Sequence, residues 1–288
     1  MNNKKLLAAY LELTKPRILT LVLITTTLGF FLGGNGIHSV LRLFTLLLGV
    51  AFVCAGASTL NHYLERDADS KMIRTRHRPI PAGVISPSNA LIYGIILVLS
   101  GVLILCWRIN LLTAFLSLLS AFLYVLVYTP LKKVSWLNTS IGAIPGALPP
   151  MGGWAAATGD LTLGAWVLFL ILFLWQHPHF YAIAWMFKDD YKRGGFKMLP
   201  VIHPDGRSTF QQINIFSLFL IPISLLPTYL GMSGWIYFYG SLLSGIGLFV
   251  IGQKLSFSKS MGDAQRLLRA SIIYLPVLLL LILVDRIF

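Results

Sequence analysis

The stretch NHYLERDADSKMIRTRHRPIP, residues 61–81, places three carboxylates, one lysine and four arginines in a chain that is otherwise apolar. Asn61, Glu65 and Asp69 are four residues apart, so on a helix they follow one stripe, each turned about 40° from the last. Asp67 lies between them in the sequence. Oxygen ligands on one stripe suit a hard divalent cation such as Mg²⁺. We therefore predict a magnesium site with Asn61, Glu65 and Asp69 as ligands and all four residues as catalytic.

Basic side chains follow the acidic stripe directly: Lys71, Arg74, Arg76 and Arg78. The guanidinium group presents a planar fork of donors that matches phosphate oxygens. Arg74 and Arg78 share a face if this segment is helical. A metal site beside such donors suits a magnesium-bound diphosphate, and we predict that Lys71, Arg74 and Arg78 bind it.

The composition is that of a membrane protein. Of the 288 residues, 56% are hydrophobic and only 11% are charged, whereas a soluble domain is about a quarter charged. Repeated apolar runs of about 20 residues indicate a polytopic helical bundle. A net charge of +13 is compatible with nucleic-acid binding, but the mean hydropathy of +0.77 excludes that class. The basic surplus instead marks the cytoplasmic side.

The apolar runs predict an all-α polytopic membrane protein with nine transmembrane helices. They lie near residues 18–35, 40–60, 90–107, 111–129, 134–154, 162–186, 212–231, 234–253 and 267–286. The fifth is rich in Gly and Pro, so we expect it to be kinked and closely packed. With a cytoplasmic N-terminus, only three of the 23 basic residues, Arg42, Arg108 and Arg286, fall outside. We therefore expect one membrane-embedded domain, residues 1–288, with the C-terminus outside.

A second acidic cluster, KDDYKRGG at residues 188–195, follows the sixth predicted span. By the predicted topology it faces the cytoplasm, as does the stretch 61–81. Two acidic clusters that face each other can hold metal ions and a diphosphate between them, which neutralises the charge of a departing group. We therefore predict that Asp189 and Asp190 are also catalytic metal ligands.

His177 and His179 flank Pro178 inside the sixth predicted span. Ionisable residues within a span are functional candidates by default, and imidazole can ligate a heme iron or hydrogen-bond a substrate. The structural alternative is that imidazole satisfies carbonyls freed by the proline. Residues two apart point to different faces of a helix, so both are not expected to bind one metal. Both stay candidate heme-binding residues.

Taken together, the motifs resemble the UbiA superfamily of intramembrane prenyltransferases over nearly the whole chain. The motifs are N-x3-E-R-D-x-D-x4-R-T-x2-R-P-x-P-A-G at 61–83, YTPLKK at 128–133, GAIPGALPPMGGW at 142–154, HPHF at 177–180 and DDYKRGGFKMLP at 189–200. HPHF and KMLP are similar to the branch of the family that acts on heme.

This resemblance implies a nine-helix UbiA-type bundle around an apolar chamber in the inner membrane, with its site facing the cytoplasm. It implies Mg²⁺ as cofactor, farnesyl diphosphate as donor and heme B as acceptor, with heme O as product. Tyr128 and Lys132 fall where relatives hold the diphosphate. A heme-handling or oxidase-assembly membrane protein is the partner expected of such an enzyme.

Two other functions fit the sequence. One is a UbiA-type enzyme that prenylates an aromatic quinone precursor. The other is a heme-carrying or transport membrane protein without enzymatic activity. A transporter is expected to bury charge near the middle of the membrane, whereas this chain carries most of its acids in two segments at one predicted face.

Overall fold

The computed structural model of the chain describes the backbone of residues 3–287 and the side chains of residues 4–285. Within those residues all regular structure is helical, as predicted. The helices are α1 (Asn3–Leu13), α2 (Pro16–Gly33), α3 (Val40–Asp69), α4 (Pro87–Arg108), α5 (Leu111–Phe122), α6 (Thr129–Leu131), α7 (Asn138–Thr158), α8 (Leu163–Met186), α9 (Lys188–Arg193), α10 (Leu199–Ile202), α11 (Arg207–Tyr229), α12 (Trp235–Ser258) and α13 (Met261–Ile287). A π-helical segment, Leu123–Tyr128, joins α5 to α6.

Eight of the helical segments in the described part of the chain are long and apolar enough to cross a membrane. They are α2, α3, α4, the run from α5 to α6, α8, α11, α12 and α13. The fifth predicted span coincides with α7, which is not among the eight. The count of nine spans and the sides on which the termini lie therefore stay predictions. The side chain of Arg286, one of the three basic residues predicted outside, lies beyond the described side chains.

Helix α3 is 30 residues long and ends at Asp69, so it continues past residue 60, where the second span was predicted to end. The side chain of Ser39 begins the helix by accepting a hydrogen bond from the backbone N–H of Arg42 at 3.2 Å. The acidic stripe therefore belongs to the last turns of a long helix. A rigid helix fixes the spacing and direction of its carboxylates more firmly than a loop does.

Glycines let α3 lie directly against α4. A Cβ atom added to Gly56 would come 2.6 Å from the carbonyl oxygen of Gly94, and one added to Gly101 would come 2.5 Å from that of Gly49. Small residues at such spacing allow membrane helices to approach backbone to backbone. This contact holds α3, and with it the acidic stripe, against the neighbouring helix.

The same kind of contact joins α2 to α7, which confirms the close packing expected for the Gly- and Pro-rich segment. A Cβ atom on Gly29 would clash with the backbone of Pro150, and one on Gly153 would clash with the carbonyl oxygen of Thr26. Helix α7 is continuous although Pro145, Pro149 and Pro150 lie inside it.

One of these prolines leaves a carbonyl that another helix satisfies. Pro149 has no N–H to donate to the carbonyl oxygen of Pro145 four residues earlier. The hydroxyl of Ser120, on α5, donates a 3.0 Å hydrogen bond to that oxygen. Neighbouring side chains therefore stabilise a helix that its own sequence would weaken.

Replacement of Gly153 by alanine tests the α2–α7 contact. We expect Gly153→Ala to lower the free energy of unfolding by about 1–3 kcal/mol, the usual cost of overpacking, seen as a lower melting temperature in detergent. Gly247→Ala on α12 is the matched control, because a Cβ atom there meets nothing within 4 Å. Equal melting temperatures for the two variants would contradict the proposed packing.

Candidate active site

A cavity of about 480 Å³ lies between α2, α3, α5, α7 and α8. Its walls are mostly apolar. The polar side chains that line it include five with a ring, an amide or a charge (Arg74, Tyr124, Tyr128, Gln176 and His179) beside several serines and threonines. A long apolar cavity with a few polar groups suits a substrate that has an apolar body and a polar end.

The acidic stripe lies next to this cavity, on the buried face of α3. Asn61, Glu65 and Asp69 are at most 5% exposed. Each side chain is hydrogen-bonded to a group from another segment, because buried polar groups without partners cost free energy. The amide of Asn61 donates to the hydroxyl oxygen of Thr129 at 2.9 Å.

Two of the stripe residues form buried ion pairs. The ammonium group of Lys132 lies 2.6 Å from the carboxylate of Glu65. The guanidinium of Arg78 donates to both carboxylate oxygens of Asp69, at 2.9 and 2.7 Å. The structure thus brings together two predicted metal ligands and two predicted diphosphate-binding residues.

Lys132 is also held by an aromatic ring. Its ammonium group lies 4.5 Å from the ring centroid of Tyr128, which stacks on Tyr124 at 5.6 Å. Burial alone would lower the pKa of Lys132, but the negative charge of Glu65 outweighs this and raises the pKa. Lys132 is therefore fully charged at neutral pH. The Tyr128 ring that it contacts also lines the cavity, so the charge lies at the cavity wall.

The side chain of Asp67 points away from the stripe, which argues against the catalytic role predicted for it, whereas diphosphate binding by Lys71 stays a prediction. The side chain of Asp67 is 75% exposed and lies 3.8 Å from Arg66, and Lys71 is exposed. Glu65 and Asp67 are two residues apart, which turns them about 200° from each other around a helix. Asp67 is therefore close to Glu65 in the sequence but lies on the opposite, exposed side of the helix.

The second acidic cluster meets the first segment in a different way from the one predicted. The carboxylate of Asp190 accepts a 3.0 Å hydrogen bond from the backbone N–H of Ile73 and another from Arg193. The hydrogen bond from Arg193 lowers the pKa of the Asp190 carboxyl. Asp189 is exposed.

The metal site predicted between the two acidic clusters is not preformed in the described residues. No group of three or more His, Cys, Asp or Glu side chains there is placed to hold a metal ion. Oδ1 of Asp190 accepts hydrogen bonds from the backbone N–H of Ile73 and from Arg193, so Asp190 helps to fix the position of the segment that follows α3. The metal-ligand roles of Asp189 and Asp190 therefore stay predictions.

Arg74 lines the cavity, as a diphosphate-binding residue should. Its guanidinium lies 4.6 Å from the ring centroid of Phe187 and 5.4 Å from that of Tyr191. One nitrogen donates to the Tyr191 hydroxyl at 3.3 Å. The buried Nε of Arg74 has no hydrogen-bond partner among the described residues. Aromatic rings therefore hold the side chain while leaving a donor for an anion.

Lys15 is a site residue that the sequence analysis did not identify. Its ammonium group donates to the side-chain oxygen of Asn61 at 2.6 Å and to the Tyr124 hydroxyl at 3.1 Å. Burial lowers its pKa to about 7. Its backbone is left-handed, with φ 51°, a strained conformation that is enriched at functional sites.

The signal for Lys15 was present in the sequence but ambiguous. TKPRI precedes the first span, and basic residues near the cytoplasmic end of a span are expected from topology alone. Only the fold shows that Lys15 points inward, toward Asn61.

The two candidate histidines occupy different environments. His177 is buried, and both of its ring nitrogens are hydrogen-bonded, one to the carbonyl of Phe173 and one to the hydroxyl of Ser140. His179 lines the cavity, and its Nδ1 lies 2.9 Å from the hydroxyl oxygen of Ser271.

Residues 22–274 of this chain match the sequence model of the UbiA prenyltransferase family. The chain belongs to the UbiA prenyltransferase family. The resemblance noted in the sequence is thereby confirmed, and the chain is a membrane-embedded member of a prenyltransferase family.

Curated relatives within the UbiA family are similar over their full length. A protoheme IX farnesyltransferase of Solibacter usitatus is 44% identical over 286 residues, which cover 96% of this chain and 98% of that protein. Another protoheme IX farnesyltransferase, from Salinibacter ruber, is 44% identical over 279 residues, with 96% and 98% covered.

Solved structures share the UbiA fold at low sequence identity. A structure of digeranylgeranylglyceryl phosphate synthase has a TM-score of 0.82 at 20% identity, with 98% of each chain covered. A UbiA homolog from Archaeoglobus fulgidus bound to GPP and Mg²⁺ has a TM-score of 0.73 at 16% identity, with 95% of this chain and 99% of that chain covered. These similarities confirm the fold.

The oxygen groups of the stripe fit Mg²⁺ by their chemistry. Mg²⁺ usually binds through one or two carboxylates, with waters and substrate phosphates completing its shell. Glu65 and Asp69 supply two carboxylates on one helix face, and Asn61 adds an amide oxygen. A site of this type does not need the larger acidic cluster that the sequence analysis expected.

Replacement of Arg78 by lysine tests its predicted role in diphosphate binding. Lysine keeps the charge but loses the fork of donors, and hydrogen bonds to charged groups contribute about 1.5–3 kcal/mol. We therefore expect Arg78→Lys to weaken prenyl diphosphate binding by about tenfold or more, measured by titration calorimetry. Arg76→Lys is the matched control, because Arg76 is exposed. Equal affinities in the two variants would exclude Arg78 from the binding site.

Proposed function

We propose that this protein transfers a farnesyl group from farnesyl diphosphate to a vinyl group of heme B, which yields heme O. The observation that carries the proposal is a buried set of ion-paired acids beside a mostly apolar cavity of about 480 Å³. Relatives named protoheme IX farnesyltransferase, 44% identical over nearly the full length, support heme as the acceptor.

Farnesyl diphosphate fits this arrangement with its apolar chain in the cavity and its charged head at the stripe. Arg74 and Tyr128 line the cavity, and Tyr128 contacts Lys132. These residues therefore lie at the boundary between the apolar chamber and the charged groups. A diphosphate bound there would be within reach of Arg74, Arg78 and Lys132.

Asn61, Glu65 and Asp69 would hold Mg²⁺, as their oxygen groups allow. The metal supplies positive charge that stabilises the departing diphosphate. The two carboxylates would then exchange Lys132 and Arg78 for the metal, and Lys132 and Arg78 would pair with the diphosphate instead. No buried charge is then left unpaired, which would otherwise cost about 3–5 kcal/mol.

The reaction begins when the allylic carbon–oxygen bond breaks and its electron pair leaves with the diphosphate. Arg74, Arg78 and Lys132 stabilise the charge that develops on the phosphate oxygens. The vinyl π electrons of heme then form a bond with the allylic cation. Water adds to the resulting cation on the heme side chain and loses a proton, which leaves a hydroxyl group. The apolar walls keep bulk water from reaching the allylic cation first.

The distribution of charge supports an orientation for the enzyme. Arg78 pairs with Asp69, Arg74 lines the cavity and Arg193 of α9 pairs with Asp190. Basic segments stay on the cytoplasmic side. We therefore infer that the site opens to the cytoplasm from the inner membrane. The substrates would enter from that side or from the inner leaflet.

The proposed reaction is tested with purified protein in detergent, heme B, farnesyl diphosphate and Mg²⁺. We expect the heme mass to increase by one farnesyl group and one hydroxyl group, as measured by mass spectrometry. Asp69→Asn should abolish this product, because Asp69 is fully buried at the stripe. Asp67→Asn is the matched control and should keep activity, because Asp67 is exposed.

Two outcomes would contradict the proposal. Prenylation of an aromatic quinone precursor instead of heme would identify the other type of UbiA enzyme. Heme binding without any Mg²⁺-dependent release of diphosphate would indicate a carrier or transporter.

A further inference from the structure

We propose that His179, and not His177, binds the iron of the heme acceptor through its Nε2 atom. The inference rests on the proposed function and adds the group that fixes heme in the cavity. Four features carry it: the position of the ring, its immobilisation, its tautomer and the contrast with His177.

The position of His179 is suitable because its side chain lines the same cavity as Arg74 and Tyr128. A ligand bound to His179 would therefore share one chamber with a prenyl chain whose diphosphate lies near Arg74. His177 does not line this cavity in the described part of the chain.

The ring of His179 is held in place by a neighbouring helix. It stacks on the indole ring of Trp175, with centroids 5.0 Å apart and planes 24° apart. The indole N–H of Trp175 in turn donates a 2.7 Å hydrogen bond to the carbonyl oxygen of Ser271 on α13. Both aromatic rings are therefore tied to α13, and this limits rotation of the imidazole.

Hydrogen bonding to Ser271 selects the tautomer of His179. The Ser271 hydroxyl donates its own proton to the carbonyl oxygen of Leu268 at 2.7 Å. With its proton on Leu268, the hydroxyl oxygen accepts from the ring nitrogen Nδ1 of His179, 2.9 Å away, and this pattern satisfies both groups at once. The proton lies on Nδ1, and Nε2 carries the lone pair.

This is the state in which histidine binds metals. A ligating histidine usually donates its second ring N–H to an oxygen of the protein, which orients the ring and increases its basicity. Among the described residues, no hydrogen bond engages Nε2 of His179. The lone pair is thus available to an iron atom in the cavity.

His177 lacks this free nitrogen. The carbonyl of Phe173 can only accept, so Nδ1 of His177 donates to it at 2.8 Å. Nε2 then accepts from the hydroxyl of Ser140 at 3.1 Å. The ring also lies flat against Phe216, with centroids 3.4 Å apart. Both nitrogens are used within the fold, so His177 has a structural role.

Iron ligation predicts a preference for metallated porphyrin. Wild-type protein should bind ferric heme with the absorption and electron paramagnetic resonance spectra of a histidine ligand, and should bind metal-free protoporphyrin IX more weakly. His179→Ala should lose the histidine spectrum and bind heme at least about tenfold more weakly. Its affinity for metal-free protoporphyrin IX should be unchanged, and added imidazole should restore the spectrum.

Two further variants separate ligation from packing. Ser271→Ala removes the hydrogen-bond partner of Nδ1 but keeps Nε2, so the histidine spectrum should persist with an affinity roughly 10–100-fold lower. His203→Ala is the matched control, because His203 is exposed, and it should match wild type in both measurements.

A histidine spectrum that persists in His179→Ala would overturn the inference, and so would an equal loss of affinity for both porphyrins. If the wild type farnesylates heme while either result is found, the proposed function stands and only the role of His179 fails. A wild-type protein that binds no heme would overturn both.

Discussion

Two buried ion pairs determine the architecture of the site. Glu65 pairs with Lys132 and Asp69 with Arg78, at 2.6 and 2.7 Å. Burying charges costs free energy that their attraction often fails to recover, so such pairs are poor devices for stability alone. In this site they keep two carboxylates and two cations close together in a largely buried environment. A metal and a diphosphate can then replace the partners on both sides.

The rest of the fold supports this arrangement. Glycine contacts hold α3 against α4, so the stripe stands on a firmly packed helix. The carboxylate of Asp190 holds the backbone of Ile73, and the rings of Phe187 and Tyr191 hold Arg74. The second acidic cluster therefore orders the segment that carries the arginines. It stabilises the site through these contacts with the protein.

The sequence predicted the features that depend on helical spacing. The stripe of Asn61, Glu65 and Asp69 lies on one buried face, because residues four apart stay together on a helix. The same helical geometry points Asp67 away from this buried face. The sequence prediction grouped Asp67 with the other acids because they are close in sequence. Helix α3 also extends beyond its apolar part, since buried partners satisfy the polar side chains of its last turns.

Features that depend on tertiary partners could not be predicted. A basic residue such as Lys15 looks like an ordinary topology signal until its contact with Asn61 is seen. His177 and His179 look equivalent in the sequence, and they differ in which of them lines the cavity and in what their nitrogens contact. The fifth predicted span, α7, is a similar case. Its glycines and prolines make it less apolar than the other spans, whereas packing against neighbouring helices keeps it helical.

The central claim is that the ion pairs exchange partners when the donor binds. It is tested most directly by a crystal structure with Mg²⁺ and the unreactive analogue farnesyl thiodiphosphate. The account predicts Mg²⁺ at about 2.0–2.1 Å from an oxygen of Glu65 or Asp69, with Lys132 and Arg78 hydrogen-bonded to the diphosphate. A metal bound only by Asp189 and Asp190, or a diphosphate that leaves both ion pairs unchanged, would contradict it.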